Sequence, residues 1–468
     1  MSNAILRAQF DALTSSISQQ KLLLDEMQTQ LESLQAQLDS IVYPVLTLPP
    51  EIMTEIFLYC LPEQRKLDVV NTKEAPLLLT HVCGAWRHIA CSTPRLWTAF
   101  YITEKDGYLD DLANIAETWF TRAGKCALSV KFHGSRTGET DFVSLLPGLR
   151  RHAREMRSLE LHAGVGDFVM MPPLECVSLQ KLSIRLLGYL PEHPPVEIFT
   201  NGVPLLREAL MNAAPPSFLA LPWQQLTKFT GELYTVRECM QALRAMPNLT
   251  ECAFGAYDRE DDHEVFSHPN IRHFTLFKCN YTHAASADAL GVVTLPALQT
   301  LEIKGVDDFD PWALDSFLLR SAAPLRKLVI RPSVVGNEAT EVILSNTFLT
   351  LRLTELEIWH PSKRFIRLFF DSFAQDANAL PRLRSLSFRG CDFVNGGMTV
   401  GAVVDMAALP VTQRRNLAGC AQLQSFHVVS KPHRNAMSVY AEARLLPFKK
   451  LKESGMDIYI GTEEESVI

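Results

Sequence analysis

The sequence predicts an α/β chain: a long N-terminal helix, three short helices, then an irregular solenoid of short parallel strands alternating with helices. Three observations carry this reading. Residues 5–42 contain no proline or glycine and repeat apolar residues in steps of four and three. Residues 46–97 hold two proline-marked helix starts followed by apolar residues at helical spacing. Beyond residue 101 a unit of the form apolar-x-x-apolar-x-apolar returns many times, and such units must stack to bury their apolar faces. The expected divisions are residues 1–43, 44–100 and 101–468. At 468 residues, with 47% apolar and 21% charged residues, two or three globular domains are expected. A net charge of −7 argues against a nucleic-acid surface as the main business. No apolar run is long enough for a membrane span, and the amino end lacks a signal-peptide pattern. The ten cysteines are scattered without close pairs, which predicts reduced thiols in a cytoplasmic and/or nuclear protein.

The first helix carries a heptad seam: Leu6, Phe10, Leu13, Ile17, Gln20, Leu24, Met27, Leu31, Leu34, Leu38 and Ile41. Ten of these eleven positions are apolar, the pattern of a coiled coil. Gln20 either fixes register or weakens the middle, and Thr14, Ser15, Ser16 and Ser18 make the softest stretch. Self-pairing as a homodimer through residues 5–42 and a single helix laid on its own chain or a partner both fit the pattern. Tyr43-Pro44 ends the helix, because the residue before proline avoids the α region.

In residues 44–100, Pro49 and Pro50 suit a first helical turn, with Glu51 at its positive end. Ile52, Ile56 and Tyr59/Cys60 then share one helical face, with Met53 and Phe57 beside them. Leu79, Val82, Trp86 and Ile89 predict a second amphipathic helix, and Ser92-Thr93-Pro94 starts a third short one bearing Leu96 and Trp97. Three helices this short bury too little surface to be stable alone, so a partner is expected.

These residues resemble an F-box, of the kind numerous in mushroom-forming fungi. Leu48-Pro49-Pro50-Glu51-Ile52 with Ile56, Val82-Cys83 with Trp86-Arg87, and Pro94-Arg95-Leu96-Trp97 carry the likeness. The loop at residues 62–76 is longer than the pattern. The resemblance implies docking onto the Skp adaptor, and through it cullin, in a ubiquitin ligase. It implies that Leu48, Pro49, Ile52, Ile56, Leu79, Val82, Trp86, Leu96 and Trp97 make that contact.

Further along, Leu112, Ile115 and Trp119 (with Leu109 before them) form an amphipathic helix, and Leu128, Val130 and Phe132 alternate as a strand. The recurring unit appears as Met156/Leu159/Leu161 and Leu179/Leu182/Ile184, weakly as Leu206/Ala209/Met211 and Leu226/Phe229, then clearly from Leu249/Cys252/Phe254 to Leu423/Phe426/Val428. From Leu249 to Leu383 the starts lie 22, 27, 27, 28 and 30 residues apart. This spacing resembles leucine-rich repeats. The family's Asn or Cys ladder place is filled by Cys279 and Cys391 but holds Val306, Ser333 or Pro361 elsewhere, so the backbone ladder is incomplete. Outward side chains just after each third apolar residue are Phe277, Lys304, Arg331, Trp359 and Arg389. Aromatic residues and arginines dominate interfaces, so this column is the expected site for an unknown protein target, acidic or phosphorylated by charge.

Signals for catalysis are weak. Gly164-Val165-Gly166 lacks the rest of a phosphate loop, and no Gly-x-Ser-x-Gly elbow occurs. His81, Cys83, His88 and Cys91 have no zinc spacing, and the acidic run at residues 258–264 lacks the glycine turn of a calcium loop. No catalytic residue, metal or cofactor is expected. Three roles stay open: a target-recognition adaptor, which the residues favour, a non-degradative scaffold using the long helix and the solenoid, and an enzyme whose site carries no sequence motif.

Overall fold

The structure, a computed structural model, describes residues 3–40, 44–62, 69, 71–103, 112–134, 142–188, 194–256, 265–278, 286–305, 309–331, 335, 338–390, 400–415, 417–430, 442–463 and 466. Ile41, Leu109, Cys279, Val306, Ser333, Cys391 and the acidic run at 258–264 lie outside them. The chain divides into two compact units, Met1–Trp97 and Thr98–Ile468.

The first unit opens with α1 (Asn3–Ser40), a continuous helix as the uninterrupted heptads require. Helix α2 (Pro50–Tyr59) starts with Pro49 as its cap and Pro50 in its first turn, where a missing N–H costs nothing. The predicted second helix is in fact two. Helix α3 (Leu77–Val82) ends at Cys83, whose extended backbone (φ −159°) breaks the helical run, and α4 (Gly84–Cys91) begins immediately after it. The break re-aims Trp86, whose ring meets Phe57 of α2 at 5.0 Å, tilted by 55°. A short 3₁₀ turn at Pro94–Trp97 closes the unit, and the Trp97 indole N–H donates to the Ala90 carbonyl at 2.8 Å. Met53, Phe57, Leu79, Ala90, Leu96 and Trp97 form the core.

The second unit is built on a sheet of fourteen parallel strands, from Ala99–Thr103 to Asp457–Thr462, paired in chain order except that two short strands, Phe266–Ser267 and Val293–Thr294, pair with each other outside it. Such order follows from the repeat: each strand returns beside its predecessor after a crossover, which parallel pairing demands. The predicted boundary at residue 100 falls inside the first strand, where Phe100 meets Phe120 at 4.9 Å. The weak units are full strands, Glu208–Asn212 and Lys228–Tyr234. A further strand, Asp457–Thr462, follows the last unit read from the sequence.

Inward positions alternate as strand geometry requires. Leu301, Ile303, Leu328, Ile330, Leu356, Ile358, Leu386, Phe388, Phe426, Val428, Ile458 and Ile460 are at most 2% exposed. Helices follow many of the strands, including Leu112–Ala123, Pro311–Ser321 and Lys363–Gln375. Asp310 caps the second of these by accepting from the Trp312 N–H at 2.8 Å, and Pro311 fills its first turn. Phe365, Phe369, Phe370 and Phe373 line one side of the third and interlock with Phe388. Residues 194–207 hold no helix and are tied by single bridges, Leu174 to Phe199 and Val196 to Leu219.

Candidate interaction sites

The nine residues of the F-box-like stretch separate into two sets. Leu48, Ile52, Ile56 and Val82 are exposed, by 38%, 50%, 39% and 53% respectively, and Pro49 is exposed beside them in sequence. Ile52 and Ile56 stand one turn apart on α2, on the side next to that of the buried Met53 and Phe57, and Leu48 immediately precedes the cap of the helix. Leu79, Leu96 and Trp97 belong to the core, and Trp86 is half-buried on Phe57. Of these expected contact residues, Leu79, Leu96 and Trp97 are thus buried within the unit and Trp86 is partly so. Such a small unit keeping four branched apolar side chains in water is a surface suited to a partner. Arg95 and Glu55 pair at 3.1 Å on the exposed surface of the same unit.

Helix α1 offers a second apolar surface. Leu6, Phe10, Leu13, Ile17, Leu24, Met27, Leu31, Leu34 and Leu38, nine of the heptad positions, are all at least 50% exposed. A seam of that length left in water has the chemistry of an unpaired coiled-coil strand.

On the second unit, the expected column is assembled but largely satisfied from within. Phe277, Lys304 and Arg331 are in register, as are Trp359 and Arg389. Lys304 pairs with Glu302 at 3.0 Å, and Arg389 with Glu357 at 3.5 Å. The Arg331 guanidinium lies 3.7 Å from the Trp359 ring centroid, and the Trp359 indole donates to Glu357 at 2.6 Å. Neighbouring carboxylates thus answer two of the three cations, and the third stacks on the one tryptophan.

The opposite ends of the same strands differ. Pro324, Arg326, Arg352, Thr354, Arg382 and Arg384 line a cleft of about 980 Å³. Glu355, the carboxylate at its edge, is already paired with Lys327 at 3.1 Å. None of the four guanidiniums makes an ion pair or side-chain hydrogen bond among the described residues. Four unanswered cations in one concavity create a positive field that draws an anionic ligand. The sequence carries a signal for them: Arg326, Arg352, Arg382 and Arg384 flank the first apolar residue of successive units, Leu325, Leu353 and Leu383. The expectation from the sequence fell on a different periodic place, the one after the third apolar residue.

Two of the buried thiols are packing groups. Burial pushes Cys176 up to about 12 and Cys252 well above its ordinary value, so neither offers a thiolate at neutral pH. Among the described residues no helix is long and apolar enough to cross a membrane. Comparison with protein-family models and with curated proteins finds no match to this chain.

Proposed function

We propose that the chain is the substrate-recognition adaptor of a Skp–cullin–F-box ubiquitin ligase. Its first unit docks on the Skp adaptor, and through it cullin, while its solenoid holds a target protein. The observation that carries this reading is the exposed set Leu48, Ile52, Ile56 and Val82 on a unit whose core is made by other residues. In this role the chain performs no chemistry. It raises the effective concentration of target lysines beside the ligase's charged enzyme. Work in the cytoplasm and/or nucleus follows from the role. The arginine cleft is the better seat for the target, which it would hold by an acidic or phosphorylated segment through forked charge-assisted hydrogen bonds. The column at Phe277, Lys304, Arg331, Trp359 and Arg389 then acts as a secondary rim. Pairing through α1 would make the adaptor a dimer presenting two such sites.

Affinity purification from the native cell tests the docking. Ile52→Asp with Ile56→Asp removes two exposed apolar side chains and leaves the core alone, so co-purification of a Skp-type adaptor should be lost with the melting temperature kept. Retained adaptor with that double variant would remove the assignment. Exposed α1 favours a second reading, a non-degradative scaffold. A captured partner whose abundance does not rise when proteasome activity is blocked would support it over the adaptor.

A further inference from the structure

A cluster at the start of the solenoid belongs to neither surface. Glu160 and His162 stand two residues apart on the strand Met156–Gly164 and so face the same side. His133, on the preceding strand Leu128–His133, is in register with His162, and their rings stack at 3.7 Å, 5° from parallel. One carboxylate oxygen serves both imidazoles: Glu160 Oε1 lies 2.8 Å from His133 Nε2 and 3.3 Å from His162 Nε2. Among the described residues this is the one group of three whose ligand atoms all fall within 4.8 Å of one another.

We propose that His133, Glu160 and His162 form a binding site for a divalent ion of the zinc class. In a tetrahedral site with bonds of about 2.0–2.1 Å the ligand atoms stand about 3.4 Å apart; the Glu160–His162 pair at 3.3 Å is at that spacing, and the Glu160–His133 pair at 2.8 Å has to open by about half an ångström. Two imidazoles with one carboxylate and no thiolate match Zn²⁺ rather than the all-oxygen preference of Mg²⁺ or Ca²⁺. Parallel rings cannot aim both in-plane lone pairs at one point, so the ion would bind as the two imidazoles unstack and tilt toward it, each giving up its Nε2 proton. His133 is already oriented from behind, since its Nδ1 faces the Tyr101 hydroxyl at 3.2 Å, the outer partner that metal-binding histidines commonly have. All three side chains are between 15% and 26% exposed, enough for water to complete the coordination.

Two cations oppose the ion and set its affinity. Lys131 Nζ holds the other carboxylate oxygen at 3.2 Å, and Arg185, in register beside His162, leans to Glu232 at 3.6 Å. The site therefore makes a prediction that simple damage cannot imitate. Removing Lys131 takes away a charge of the ion's own sign, so binding should tighten.

Titration calorimetry with ZnCl₂ on the untagged full chain tests this, with MgCl₂ as control. One zinc should bind per chain, without a magnesium response. His133→Ala and His162→Ala should each weaken that binding roughly tenfold or more. Lys131→Met should strengthen it several-fold, and thermal melts should show all three variants folded. Zinc uptake that survives both histidine variants would place the ion elsewhere among the thirteen histidines and overturn the proposal. So would the absence of uptake by the unaltered chain, or an affinity lowered by Lys131→Met. Because none of these readouts involves the Skp adaptor or a target, they stand apart from the ligase reading.

Discussion

Arg414 is only 2% exposed, yet its charge is fully used. Its guanidinium donates to the carbonyls of Phe373, Asp376 and Ala379, at 3.1, 2.8 and 2.6 Å, and lies over the Phe373 ring. The first acceptor is in the last turn of the helix Lys363–Gln375, whose final carbonyls have no partner within the helix, and the other two lie at its cap and just beyond. Replacing Arg414 by Leu leaves buried carbonyls unpaired and should cost about 3 kcal/mol, measured by denaturant unfolding. Arg414→Lys should recover little, since one ammonium cannot span the three acceptors. Gly390 is a second such point. Its positive φ of 64° suits glycine, and an added Cβ would stand 2.4 Å from the His360 ring. Gly390→Ala should therefore destabilise by about 1–3 kcal/mol in the same assay. Neither constraint was legible in the sequence, because Arg414 finds its acceptors 35 to 41 residues upstream. The inward residues of each strand were legible, since a spacing of two in an apolar-rich unit leaves one way to face the core.

At the scale of elements, α1 was readable over its described length because a heptad needs only its own sequence. What it pairs with does not follow from that sequence. Light scattering should find the full chain at twice the monomer mass in the micromolar range, and a chain starting at Val45 at monomer mass. Equal monomer masses for the two would defeat self-pairing. Helix α2 shows the opposite case. Its apolar residues run almost all the way round, from Ile52 and Met53 to Ile56 and Phe57, so periodicity could not say which side is the core. Trp86 decides it by seating on Phe57, and the break at Cys83 that aims Trp86 has no proline or glycine at its own position. Phe57→Ala should accordingly cost about 3–5 kcal/mol in folding. Ile52→Ala should leave stability nearly unchanged while weakening adaptor capture.

For the whole solenoid, the repeat period gave the parallel order of strands in advance, and the middle strands were hidden where the described residues 194–207 hold no helix. Between residues 188 and 207 the chain has prolines and short apolar runs in place of a helical period, so its strands looked faint. The charge distribution was hidden for another reason. Lys304 and Arg389 are as cationic in the sequence as Arg326 and Arg384, and only the paired carboxylates beside the first two tell them apart. Reversing Arg326, Arg352 and Arg384 to Glu should abolish capture of the cellular target and spare the adaptor. Reversing Lys304, Arg331 and Arg389 should do less. Target binding should also weaken as salt rises, because exposed guanidiniums act through a field that about 0.15 M salt confines to some 8 Å.

The order of strands has a mechanical consequence. Each of the fourteen is bonded only to its two neighbours in the sheet, which follow one another in chain order apart from the short pair Phe266–Ser267 and Val293–Thr294, so the fourteen form a ladder about 60 Å long with one covalent thread. A force pulling on its two ends acts across the rungs rather than along them. Rungs loaded in that direction separate singly, and each release frees a crossover of some twenty to thirty residues before the next must yield. Single-molecule stretching should then trace a low, stepped plateau in place of one tall rupture, with step lengths that reproduce the spacing of the repeats. A solenoid of this build tugged through a bound partner would behave as a spring that gives by whole coils.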